Sequence, residues 1–276
     1  MEIKDLLSQT DKLPNIPEVV RELIQTLNNP DANYGDISKK VAKDQTISLK
    51  ILRLVNSAYF GLSRKVASID EAVIMLGMGK LKTLVIASGF ANSASNVEGL
   101  DLPTFWSDSF QVAELAKWLA EMTDEEVNAD LAFTSGIIHN IGQLLLHMAQ
   151  PNRAKAVNTL VESSNTSRHE AELERFGFTT ADAGHALLDL WKFPEPLSNA
   201  VKYQNNPSDL AENPQLSAIL YLACLINRES KSGDAIEDIL QRFPHEIAKL
   251  AGIKTQATDY LSEALQIKSG LGSLAA

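Results

Sequence analysis

The stretch 131–152 carries no Lys, Arg, Asp or Glu, and this constrains the fold more than any other feature. About 20 apolar residues suffice to span a bilayer, so the stretch is either a membrane helix or the buried centre of a globular protein. It contains Thr134, Ser135, His139, Asn140, Gln143 and His147. Each unpaired polar group in hydrocarbon costs several kcal/mol. The expectation is therefore a helix wrapped by other protein rather than by lipid. A chain of 276 residues, 45% of them hydrophobic, can bury the large core this requires, as one or two domains.

The remaining sequence repeats apolar residues at helical spacing, and sustained strand alternation is missing. The fold class expected is all-α, a multi-helix bundle with an N-terminal helical subdomain. Pro17 opens a helix whose stripe is Val20, Leu23, Ile24 and Leu27, closed by Asn28-Asn29-Pro30. A short helix near 35–43 precedes one over 46–57 with Ile47, Ile51, Leu54 and Val55 on one face. Ser68 and Glu71 read as a capping box ahead of Ile69, Ala72, Val73 and Leu76, and 80–92 reads as an apolar helix. Residues 93–104, small, polar and containing Gly and Pro, mark a division between an N-terminal helical section (1–100) and a helical core with C-terminal helices (101–276).

In the second part Phe105, Val112, Ala113, Ala116 and Leu119 share a face. Thr123 with Glu126 reads as a capping box for one long central helix over 127–149, and Ser167 with Glu170 as another for a helix at 168–176. Helices are expected over 180–192 and near 196–204, 215–229, 234–242, 245–251 and 257–268. The stripe Leu216, Ile219, Leu220, Ala223 and Ile226 predicts packing onto the same body, and QIKSGLGSLAA reads as a frayed tail.

One cysteine, Cys224, excludes an internal disulfide and points to a reduced, cytoplasmic setting. The N-terminal MEIKDLLSQTDKL is too polar and acidic for a signal peptide. A net charge of −10 disfavours nucleic acid as a partner. The charge is uneven: residues 36–90 hold nine Lys/Arg against four Asp/Glu. That is either an ordinary solvated face or a docking surface for an acidic partner.

On the predicted central helix, Ile137, Ile141, Leu144 and Met148 form the core face, with Ile138 and Leu145 at its edge. Gly136, His139, Asn140, Gln143 and His147 form a separate polar stripe. Buried polar groups need partners, so this stripe is either a hydrogen-bonded seam or the wall of a pocket between helices.

Five elements stand in fixed order: LPNIPEVV at 13–20, VAKDQTISLKILRLVNSAYFG at 41–61, ASIDEAVIMLGMGKLKTLVI at 67–86, SGIIHNIGQLLL at 135–146, and FGFTTADAGHALLDLWKFPEPLSNAVKYQNNP at 176–207. Together they resemble the HDOD domain, the HD-related output domain of bacterial signalling proteins. The resemblance covers about residue 12 to about residue 207. It implies an all-α fold whose core is similar to HD-type phosphohydrolases, which hydrolyse phosphate esters with a metal-bound water. In such chemistry imidazoles and carboxylates converge on divalent cations, and the metal lowers the pKa of its water to about 7.

Carried over by position, the family's first His falls on Asp108, in FWSDSF. The His-Asp pair falls on His139-Asn140, a further His on Thr180, and a His-His pair on Gln204-Asn205. The Lys of an Ile-Gly-Lys context falls on Gln143. Of the six ligand positions only His139 keeps its residue type, although Asp108 retains a metal-binding group. Amides and a hydroxyl are poor substitutes, and losing even a supporting residue costs about 10–100-fold. No metal or other cofactor is expected, and the chain reads as a pseudoenzyme: a non-catalytic module contacting signalling proteins.

Two alternatives stand beside this. Asp108, His139, Asp182 and His185 are the candidates for a rebuilt metal site, which would make the chain a metal-dependent phosphohydrolase. The basic segment around 46–57 has the outline of a helix-turn-helix DNA reader, but its apolar residues leave few positions to touch bases. LGMGK at 76–80 lacks the spacing of a phosphate loop and reads as a helix–helix turn. His147, His169 and His245 read as packed or solvated side chains.

Overall fold

A computed structural model describes residues 2–9, 13–25, 34–57, 60–94, 96–124, 126–164, 166–271 and 274. Among them there is no strand, and no helix is long and apolar enough to cross a membrane. The N-terminal section contains α1 (Ile3–Leu7), α2 (Glu18–Gln25), α3 (Tyr34–Lys43), α4 (Gln45–Val55), α5 (Ile69–Leu76) and α6 (Met78–Ala91). Leu27 and the Asn28-Asn29-Pro30 stop lie outside the described residues. Ile47, Ile51, Leu54 and Val55 of α4 are buried as their spacing predicts, leaving Gln45, Thr46, Leu49 and Arg53 exposed. Helices α2, α4 and α5 pack on α6, and α6 docks on the core.

The core is organised on α7 (Leu102–Met122) and α8 (Ala129–Ile138). Every residue from Leu131 to His139 is buried, which explains why this stretch tolerates no charge. Gly136 permits the α7–α8 approach: a Cβ there would lie 2.3 Å from the Ala113 Cα. Around this pair stand α9 (Ile141–Ala149), α10 (Pro151–Ser163), α11 (Arg168–Phe176), α12 (Thr180–Leu190) and α13 (Glu195–Lys202). A short 3-10 turn, Pro207–Asp209, leads to α14 (Gln215–Glu229), followed by α15 (Ile236–Gln241), α16 (His245–Leu250) and α17 (Ala257–Ala264). Leu216, Ile219, Leu220, Ala223 and Ile226 are buried on α14, which packs against α7.

The structure corrects four local expectations. The central helix is two helices, because Asn140 leaves the helical region at φ −102°, ψ 14°. Asn competes with the backbone for hydrogen bonds and favours such breaks. The Thr123–Glu126 box does not form. Thr123 ends α7 and its hydroxyl donates to the Gly252 carbonyl at 3.2 Å, while the Asn128 side chain caps α8 by accepting from the Asp130 and Leu131 amides. Only half of the Ser68–Glu71 box forms: Ser68 accepts from the Glu71 amide, but the Glu71 carboxylate reaches the Ala67 amide instead. The Ser167–Glu170 box is complete. The tail is not frayed where it is described. Leu271 and Leu274 are buried, and Gln111 brackets the segment by donating to the Ile267 carbonyl at 2.6 Å and accepting from the Ser269 amide at 2.8 Å.

Candidate functional site

The break between α8 and α9 places Asn140 at a cleft between α9, α11, α12 and the end of α13, with the buried His139 outside its lining. The cleft has a volume of about 170 Å³, and its lining includes Asn140, Gln143, Arg168, Glu172, Thr180 and Gln204. Asn205, His169 and Ala181 complete it. Four of the six ligand positions inferred from the resemblance therefore surround one space, together with Gln143. A smaller void next to it brings His147 alongside Gln143, Arg168, Glu172 and Thr180. Gly136 takes no part; it is the contact point with α7.

The side chains of the cleft are largely occupied with holding helices. Gln204 donates both amide hydrogens, to the His139 and Val201 carbonyls, each at 2.9 Å. These are two carbonyls at helix ends, which have no partner within their own helix. The Thr180 amide donates to Glu172 at 2.7 Å, and the Thr180 hydroxyl donates to the other oxygen of the same carboxylate. Glu172 is 3% exposed. Its remaining charge is met by the Arg168 guanidinium 3.6 Å away, one helical turn earlier. Arg168 also donates to Asn158 at 2.8 Å.

His139 is buried, and its Nδ1 lies 2.7 Å from the Gly136 carbonyl. Burial drives its pKa down to about 4, against the upward pull of that hydrogen bond and of the Asp108 charge. The ring is thus neutral near pH 7. Because a carbonyl only accepts, Nδ1 carries the proton and Nε2 the lone pair. Burial likewise holds His147 below its usual value, and its Nδ1 contacts the Glu98 carbonyl at 3.1 Å.

Asp108 does not line the cleft. Its carboxylate pairs with Lys231 at 2.5 Å, beyond the C-terminus of α14. Asp182 and His185 are committed elsewhere. The Asp182 carboxylate accepts from the Thr179 amide and hydroxyl in a capping box that opens α12. His185 meets Ser198 Oγ at 2.7 Å and Asp189 at 3.4 Å, and the Ser198 hydroxyl donates to Asp189. That trio ties α12 to α13. The Ser198 proton is already directed at the carboxylate, and the side chain is buried, so the cluster is a clamp rather than an activated nucleophile. Among the described residues no three His, Cys, Asp or Glu side chains are grouped to hold a metal ion. The donors that do face the cleft are amides, a hydroxyl, the exposed imidazole of His169 and the carboxylate of Glu172, already paired with Thr180 and Arg168; a single imidazole beside neutral amides is not the converging set a divalent cation requires.

Sequence reasoning missed Arg168 and Glu172. The signal was present. Glu172 falls in the apolar arc of α11 between Ala171 and Phe176, and a carboxylate in such an arc requires a partner.

The HDOD domain model matches residues 13–207. This chain belongs to the HDOD family. It is similar over 98% of its length, and 98% of the other chain, to a protein of Shewanella amazonensis SB2B provisionally assigned as a phosphohydrolase, with 32% identity and a TM-score of 0.81. An HDOD domain protein of unknown function from Geobacter sulfurreducens shares the fold, at 21% identity and a TM-score of 0.79, over 95% and 94% of the two chains. Curated relatives match as well, two of which follow. One is an uncharacterised protein of Treponema pallidum, 24% identical over 78% of this chain and 42% of its own length. The other is the cyclic di-GMP phosphodiesterase CdgJ of Vibrio cholerae, 25% identical over 46% of this chain and 28% of its own length. The HDOD chain spans less than half the length of the curated relatives it matches.

Proposed function

We propose that this HDOD chain is a non-catalytic signal-transduction module that acts in the cytoplasm by contacting other signalling proteins. The observation that carries this reading is the employment of the cleft residues. Gln204 pins two helix ends, and Thr180 is bound through both its amide and its hydroxyl to Glu172. Where catalysis by HD-type relatives calls for ligands converging on a cation, these side chains instead fasten helices to one another. The test is metal analysis of the purified chain after incubation with Mn²⁺, Fe²⁺ or Zn²⁺, together with assays on bis(p-nitrophenyl) phosphate and cyclic di-GMP. The expected result is far less than one metal per chain and no turnover. A stoichiometric metal with EDTA-sensitive hydrolysis would defeat the proposal.

A second reading, a metal-dependent phosphohydrolase with a rearranged site, draws support from the Nε2 lone pair of neutral His139 and the nearby Asp108 charge. The name of the Vibrio relative supplies its substrate class, a cyclic dinucleotide. It predicts that Asp108→Ala and His139→Ala each remove hydrolysis. Activity that survives both substitutions would dispose of it.

A further inference from the structure

A second cavity, about 400 Å³, shares no lining residue with the cleft. Its volume lies within the range of small-molecule sites. It forms where four parts of the chain meet: Phe60 after α4, the first turns of α6, the middle of α7, and the segment after α17. Helix α7 presents Glu114, Lys117, Trp118 and Glu121 to it, a single stripe at helical spacing. Leu84 of α6 and Leu271 of the C-terminal segment, both 2% exposed, supply apolar wall.

The charges of the lining differ in depth. Lys80 and Glu121 are exposed, where solvent and salt screen them. Lys117 stands one turn from both Glu114 and Glu121, so its charge is balanced within the stripe. Glu114 is half-buried and receives no hydrogen bond or ion pair from the described residues. Burial above all, with the Glu121 charge adding to it and Lys117 opposing, holds its carboxyl above the usual range. A withdrawn carboxylate without a donor is costly, and a ligand that brings a donor relieves that cost. The indole of Trp118, one turn along α7, lines the same cavity, and aromatic rings attract cations.

We propose that this cavity binds a small organic amine, its apolar or aromatic body against Leu84, Trp118 and Leu271 and its ammonium group at the Glu114 carboxylate. The site stands whether or not the Asn140–Gln204 cleft is catalytic. Because one wall is the C-terminal segment that Gln111 holds in place, occupancy also steadies the contact between the N-terminal section, α7 and the tail.

The test uses the full chain with 2-phenylethylamine as probe and 3-phenylpropionate as its anionic counterpart, by saturation-transfer NMR and calorimetry at low salt. The amine is expected to bind saturably and the acid not to bind. Glu114→Gln should weaken the amine about tenfold or more, and Asn140→Ala should leave it unchanged. Circular dichroism checks that the Glu114 variant is folded. Trp118→Leu provides a second variant expected to lose affinity. No saturable amine binding, equal binding of 3-phenylpropionate, or undiminished affinity in both cavity variants would overturn the assignment.

Discussion

His139 is a buried imidazole at the end of α8. Asn140 beside it has no acid to share a cation, and Gln204 holds the His139 carbonyl rather than its ring. The imidazole is left as a buried neutral group, and this has a measurable consequence. In the folded chain it stays neutral down to about pH 4, whereas an unfolded chain takes up the proton near pH 6.5. Below pH 6.5 the unfolded state therefore binds more protons, and stability falls as pH drops through the window from 6.5 to 4. The loss expected from this group is on the order of 3 kcal/mol, and His147, also held low by burial, adds in the same direction. Urea melts between pH 8 and pH 4 should show a plateau above pH 7 and a decline below 6.5. His139→Gln should flatten much of that decline. An unchanged slope in the variant would mean that other groups carry the acid sensitivity. At this scale the sequence was legible in part. The resemblance grouped Asn140, Thr180, Gln204 and Asn205, and all four line one cleft, but the bonds of Thr180 and Gln204 depend on which groups of other helices lie nearby, and spacing along the chain does not encode that.

Among the elements, the crossing of α9 over α12 defines one wall of the cleft, and a glycine sets its closeness. A Cβ on Gly142 would lie 2.0 Å from the Thr180 carbonyl oxygen and 2.6 Å from the Gly184 amide nitrogen. Both are backbone atoms, so neither can swing aside. Gly142→Ala should cost about 3 kcal/mol or more, at the upper end of overpacking, and should loosen the Thr180–Glu172 bonds beside it. A chemical-denaturation curve reads the loss, and a change below about 0.5 kcal/mol would mean that the crossing is wider than described. Most helices were legible from periodicity, since long apolar stripes such as those of α7 and α14 allow one solution. Helix α10 was not, because its buried stripe is only Ala154 and Val157, a weak signal despite Pro151 at its first turn. The break at residues 139–140 was hidden for the opposite reason: apolar spacing runs straight through it, and only the backbone of Asn140 departs. The Thr179–Asp182 box has Asp where the usual pattern has Glu or Gln, so the sequence signal for it is weak.

For the molecule as a whole, the part beyond the family match is built into the core rather than appended to it. Lys231 pairs with Asp108, Gly252 accepts from Thr123, and Gln111 grips the backbone of residues 267 and 269. All three partners lie on or at the end of α7, so the last helices brace the helix on which the core is organised. The tail contributes measurably to this bracing. Truncation after Gln266 removes two buried leucines, Leu271 and Leu274, each worth about 1.5–3 kcal/mol, and leaves both polar groups of Gln111 without their backbone partners, at roughly 1 kcal/mol each. The unfolded chain already buries part of its apolar surface, so the net expectation is about 4 kcal/mol. For a domain of this size that lowers the melting temperature by roughly 10 °C. The same deletion opens one wall of the α6–α7 cavity, so amine binding should fall with it. Calorimetric scans of the full and shortened chains decide the point. A shift of less than about 2 °C would show that the segment does not hold α7 in solution, and the cavity would lose its C-terminal wall.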